Sequence, residues 1–78
     1  MALAPSLSLV GLPLAQVPEG AIIPTPGDDY QHVVREVRGV GDGFTRVTID
    51  VFHQDDLDSR RRFYDFCWSN NKTIEVAF

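Results

Sequence analysis

The stretch FTRVTIDVFH, residues 44–53, alternates without a break. Thr45, Val47, Ile49 and Val51 fall on one side, and Phe44, Arg46, Thr48, Asp50 and Phe52 on the other. Successive side chains of a strand point to opposite faces, so this segment has one apolar, buried face and one mostly polar face. That pattern belongs to an antiparallel sheet packed on one side only. It is the strongest constraint the chain carries, and the remaining segments are read around it.

Upstream, QHVVREVR (residues 31–38) is rich in β-branched residues and reads as a partner strand. GVGDG (39–43) joins the two as a hairpin, its glycines supplying the positive φ that a tight connection needs. Downstream, Asp55 or Asp56 caps a helix expected over residues 56–69, with Asp58 adding negative charge to the first turn. Leu57, Tyr64, Cys67 and Trp68 follow helical spacing, and Phe63 and Phe66 widen the stripe. Arg61 and Arg62 are placed to pair with Asp58, and Arg61 with Asp65. SNNK ends the helix, and TIEVAF (73–78) is a final alternating strand. The expected order is ββαβ.

All five prolines lie in the first 29 residues, and most of the charge lies after them. Residues 5–10 read as a short helix opened by Pro5 and stopped by Gly11 and Pro13. IIPTPGDD follows as an extended arm and a turn, since residues before proline are pushed to extended geometry. The first 18 residues carry no charged side chain, yet they lack the basic start of a signal peptide and are interrupted by proline and glycine. The expectation is a segment that packs on a neighbouring surface, in a protein made inside the cell.

The expected fold class is therefore α+β: a single domain over residues 1–78, with an apolar proline-rich helix and arm (1–29) before a ββαβ core (30–78). At 78 residues a chain buries only ~60% of its unfolded surface. Domains of this size usually lean on disulfides, a metal or a partner subunit. Cys67 is the sole cysteine and only two histidines are present, which leaves oligomerisation. With 7 basic against 11 acidic residues, general nucleic-acid binding is disfavoured.

Candidate chemistry is sparse. His53 beside Asp55 and Asp56 has the residue types of a general base, but the same residues serve a strand end and a helix cap. Asp28, Asp29 and Asp42 are carboxylates on turns rather than a convergent metal set. GVGDG links two strands, whereas phosphate loops lead into a helix. The run Arg60, Arg61, Arg62 suits phosphate, a partner's acidic patch or a solvated helix face paired with Asp58 and Asp65. Phe63, Tyr64, Phe66 and Trp68 are too many for one buried stripe, so at least one faces outward, as at protein interfaces. Cys67, among them, is expected to be an inert buried thiol. No catalytic, cofactor-binding or metal-ligating residue is assigned.

The pattern resembles the tail terminator (tail completion) proteins of long-tailed bacteriophages. The resemblance rests on PSLSLVGLPLA, PEGAIIPTP, YQHVVREVRG and the alternating TRVTIDVFHQDD followed by a helix. It departs from the family in its LDSRRRFYDFCWS segment, where members are Ala-rich, and in its shorter length. The resemblance implies a small α+β domain in a homo-oligomeric, hexameric ring that closes the tail tube. Its partners would be tail tube and head-tail connector proteins, with DNA only passing through the channel. It implies a non-enzymatic virion protein made in the host cytoplasm, without cofactors and off the membrane. Expected subunit contacts are Ile22, Ile23, Pro24, Arg60, Arg61, Phe63 and Trp68, with Glu36 and Asp50 facing an acidic channel. The competing reading is a small monomeric protein-binding module, an inhibitor or regulator of a host protein.

Overall fold

The computed structural model describes residues 9–77. Within them the chain forms six strands: β1 (Leu9–Pro13), β2 (Ile22–Ile23), β3 (Tyr30–Gly41), β4 (Phe44–His53), β5 (Asp56–Ser69) and β6 (Thr73–Ala77). The only helical piece among the described residues is a 3-10 turn, Leu14–Gln16. All strands belong to one antiparallel sheet in the order β1-β6-β2-β3-β4-β5. The expected α+β class is therefore wrong: residues 56–69 are a long edge strand, not a helix. The short helix expected over 5–10 begins outside the described residues, and Leu9 and Val10 within it belong to β1.

The β3–β4 hairpin falls within GVGDG as expected, but the connection is only Asp42 and Gly43, because Gly39, Val40 and Gly41 continue β3. Gly41, Asp42 and Gly43 all have positive φ, at 92°, 54° and 81°. Left-handed Asp-Gly at the two central positions matches the right-handed twist of the flanking strands. Val34 faces Ile49, and Val37 faces Val47, across a bulge that takes in Arg35.

β5 is a strand for local reasons. Phe, Tyr, Trp and Cys sit poorly in a helix interior and well on a pleated surface. A two-residue turn, Gln54 and Asp55, returns the chain along the open edge of β4. Pairing is then continuous from Arg62 opposite Val51 to Ser69 opposite Phe44, with irregular register around Arg60 and Arg61. Asp55 and Asp56 accordingly form a turn and a strand start, not a helix cap.

The core corrects a second expectation. Val34, Val47, Ile49 and Val76 cluster with Leu14, Val17 and Ala21, all essentially excluded from solvent. Leu14 and Ile49 are both 0% exposed. Val47 and Ile49 thus cluster with Val76 of β6 and with the 3-10 turn rather than with a helix, and Leu14, Val17 and Ala21 of the first region pack on the chain's own sheet. Burying an aliphatic side chain of this kind contributes about 1.5–3 kcal/mol. The Leu14 N–H is also fixed to the Lys72 carbonyl at 2.7 Å. The arm is part of the monomer.

Candidate functional site

Two edges bound the sheet, β1 and β5. Among the described residues, the exposed large apolar side chains are Leu9, Val10, Val40, Phe44, Leu57, Phe63, Tyr64 and Trp68. All but Val40 and Phe44 lie on these edge strands, so the apolar surface left over after folding lies mainly along the edges. β1 is short where it is described and contains Pro13. β5 spans 14 residues without proline.

Each face of β5 is distinct. Tyr64, Phe66 and Trp68 lie on the core face, opposite Ile49, Val47 and Thr45. Phe66 packs against the core, and its ring meets Trp68 at 4.9 Å between centroids. Lys72 places its ammonium 4.7 Å from the Trp68 centroid. On the outer face, Phe63 is flanked by the Arg35 and Arg60 guanidiniums, each 5.1 Å from its centroid. Both arginines also reach Asp50 Oδ1, at 3.3 and 3.4 Å. An exposed cation–π contact contributes about 0.5–1 kcal/mol, so this cluster orients Phe63 more than it stabilises the fold.

Behind β5 lies a polar network that sequence reasoning missed. His32, 7% exposed, has Nε2 3.0 Å from Asp28 Oδ2 and Nδ1 3.1 Å from the Tyr64 hydroxyl. One arrangement satisfies all three groups: Nε2–H donates to the carboxylate and the phenol donates to Nδ1. The Tyr30 N–H also donates to Asp28 Oδ1 at 3.0 Å. The bond from His32, and then that from Tyr30, holds the Asp28 carboxyl below its usual range. Burial raises the Tyr64 phenol above its ordinary value. The trio ties Tyr64 of β5 to His32 of β3 and to the 24–29 loop. Nothing in the spacing of residues 28, 32 and 64 announced it, because the contact depends on β5 being a strand.

The sequence-assigned contacts fall into two separate patches. Ile22, Ile23 and Pro24 line a cleft of about 330 Å³ together with Tyr30, Gln31 and Gln54. Arg60, Arg61, Phe63 and Trp68 lie on β5, separated from β2 by β3 and β4. Arg61 reaches Asp56 at 3.4 Å, not Asp58 or Asp65. Glu36 and Asp50 do share the outer face, but neither is a free anion. Glu36 pairs with Arg38 at 2.9 Å, and Asp50 with Arg35 and Arg60. The two carboxylates expected to line an acidic channel are therefore each paired with arginine. Cys67 is exposed, against the expectation of a buried thiol, because odd-numbered residues of this stretch of β5 face outward.

His53 Nδ1 accepts the Asp55 N–H at 3.1 Å and its ring meets Tyr30 edge-on, so it closes the β4–β5 turn. Asp28 and Asp29 precede β3 and Asp42 follows it, at opposite ends of a 12-residue strand. Among the described residues no three His, Cys, Asp or Glu side chains converge as a metal site, and no helix is long and apolar enough to cross a membrane. No protein-family model, curated protein or solved structure matches the chain.

Proposed function

We propose that this protein is a non-enzymatic assembly subunit that joins other chains through the β5 edge of its sheet. The observation that carries the reading is the 14-residue β5 itself, at the end of the sheet order and with Leu57, Phe63, Tyr64 and Trp68 exposed. An outer strand presents unpaired N–H and C=O groups that template another strand. Natural edges are blunted by proline, lysine, bulges or shortness. Here the irregular register and the arginine run protect only the first half of β5; residues 63–69 contain no proline, lysine or bulge and carry a single charge, Asp65.

Leu14, Val17 and Ala21 of the apolar arm are used internally, and of the expected contacts the reading rests on those of β5, Arg60, Arg61, Phe63 and Trp68. A hexameric ring closing a phage tail tube is the setting implied by the resemblance, and it rests on that resemblance alone. Light scattering behind size-exclusion chromatography tests the assembly reading across micromolar to millimolar concentrations. The expected result is a mass above the 8.7 kDa of one chain, rising with concentration. A monomer at every concentration overturns self-assembly and leaves strand addition to a different protein, the regulator reading, as the use of the same edge.

A further inference from the structure

Resting on the assembly reading, we propose that β5 pairs antiparallel with β5 of a second copy about a two-fold axis at Phe66, joining two sheets into one. The two-fold runs normal to the sheet and keeps each face on its own side. Directly opposed residues of an antiparallel pair also share a face. Only registers that set one residue opposite itself satisfy both conditions.

The register follows from the regular part of β5, residues 62–69, where pairing with β4 is unbroken. Centring on Tyr64 or Cys67 overlaps only residues 62–66 or 65–69. Centring on Asp65 or Phe66 gives the longest overlaps, 62–68 and 63–69. An Asp65 centre sets that carboxylate against its own copy, and like charges directly opposite destabilise a sheet. The Phe66 centre opposes no like charges. On the core face it sets Phe66 against Phe66 and Tyr64 against Trp68 on both sides of the axis. On the outer face it sets Asp65 against Cys67 and Phe63 against Ser69.

Aromatic cross-strand pairs contribute roughly 0.2–1 kcal/mol each. The pairing would extend the Phe66–Trp68 contact already present within one chain. Tyr64 is held ready for it by His32. Among the described residues β1 offers five positions including Pro13, whereas β5 offers fourteen without proline. The contact is isologous, so it closes as a dimer rather than propagating head to tail.

Asp65→Cys tests the register in the full chain. It places a thiol opposite the native Cys67 of the second copy, twice per dimer. Mild copper–phenanthroline oxidation should give a covalent dimer on non-reducing gels, where the unaltered protein gives little. The two thiols of one chain, two positions apart on a strand, cannot bridge to each other without distorting it. Phe66→Lys and Phe66→Glu provide an independent measurement. Each alone sets like charges face to face and should weaken self-association about tenfold or more. An equimolar mixture should restore it. An oligomer whose Asp65→Cys variant does not cross-link, or whose native Cys67 cross-links as readily, overturns this joint and leaves the assembly reading standing. A protein that stays monomeric overturns both.

Discussion

Tyr64→Phe removes one oxygen atom and isolates the network behind β5. In the parent the phenol donates to His32 Nδ1 at 3.1 Å, and His32 is 7% exposed. Without the phenol the ring nitrogen is left buried and without its partner. Such a group costs about 1–2 kcal/mol. A domain of this size melts about 4–8 °C lower per kcal/mol, so the midpoint should fall by about 5–15 °C. The assay is thermal and urea unfolding followed by far-UV circular dichroism at neutral pH. His32→Leu supplies the control, because it removes the nitrogen that the phenol serves. In that background Tyr64→Phe should cost nearly nothing, and the double-mutant cycle should give a coupling of about 1 kcal/mol. A single-variant loss under ~0.3 kcal/mol, or equal losses in both backgrounds, would show that Tyr64 is not held through His32. The pH dependence carries a sign. Tyr64 has a raised folded pKa, so its contribution is complete below the ordinary phenol range of about 10 and is lost as pH rises through the folded value.

Two further outcomes test the core and the loop anchor. Val47→Ala should cost about 2–3 kcal/mol in urea unfolding, because its side chain is wholly buried and its loss leaves a cavity; Arg46→Ala, one residue away on the outer face, should change stability by under about 0.5 kcal/mol, and similar costs for the two would refute the face assignment of β4. Asp28, whose folded pKa is lowered, supports the fold above the usual carboxylate range and loses that support as pH falls through the folded value. Asp28→Asn should therefore flatten the melting-temperature profile below about pH 4, and an unchanged profile would show that the His32 contact does not bear on folding.

The sheet's centre was legible in the sequence. β4 matches the alternating segment residue for residue, because its period-two pattern has no helical counterpart. The hairpin's place was legible from the glycines of GVGDG, but its length was not: the turn is only Asp42 and Gly43, and Gly39, Val40 and Gly41 belong to β3. The final strand was legible for the same reason as β4. In the first region the extended arm and turn of IIPTPGDD were legible, but the packing of the described residues was not, because proline and glycine mark where regular structure stops, not what the intervening residues touch. Leu14, Val17 and Ala21 have no periodicity, yet they are fully buried. Their burial depends on β1 pairing with β6, a contact between the two ends of the described chain that no local window contains.

β5 was misread for a different reason, and that reason bears on what the protein does. Phe63, Tyr64, Phe66 and Trp68 occupy both odd and even positions, so a helical stripe and a strand fit them equally well. Composition could have decided, since few of these residues favour a helix interior. A strand that is apolar on both faces normally lies in the middle of a structure, covered on each side. β5 instead lies at an edge, where its own chain supplies a neighbouring strand on one side only. The core covers part of Phe66, and two guanidiniums flank Phe63. Tyr64 and Trp68 stay 38% and 45% exposed on the core face, beside an unpaired backbone. Among the described residues no element extends the sheet beyond β5, and a second strand laid along it would cover both rings and pair the backbone in one step. The feature that made the segment ambiguous to read is therefore the one that leaves aromatic rings exposed beside an unpaired backbone edge.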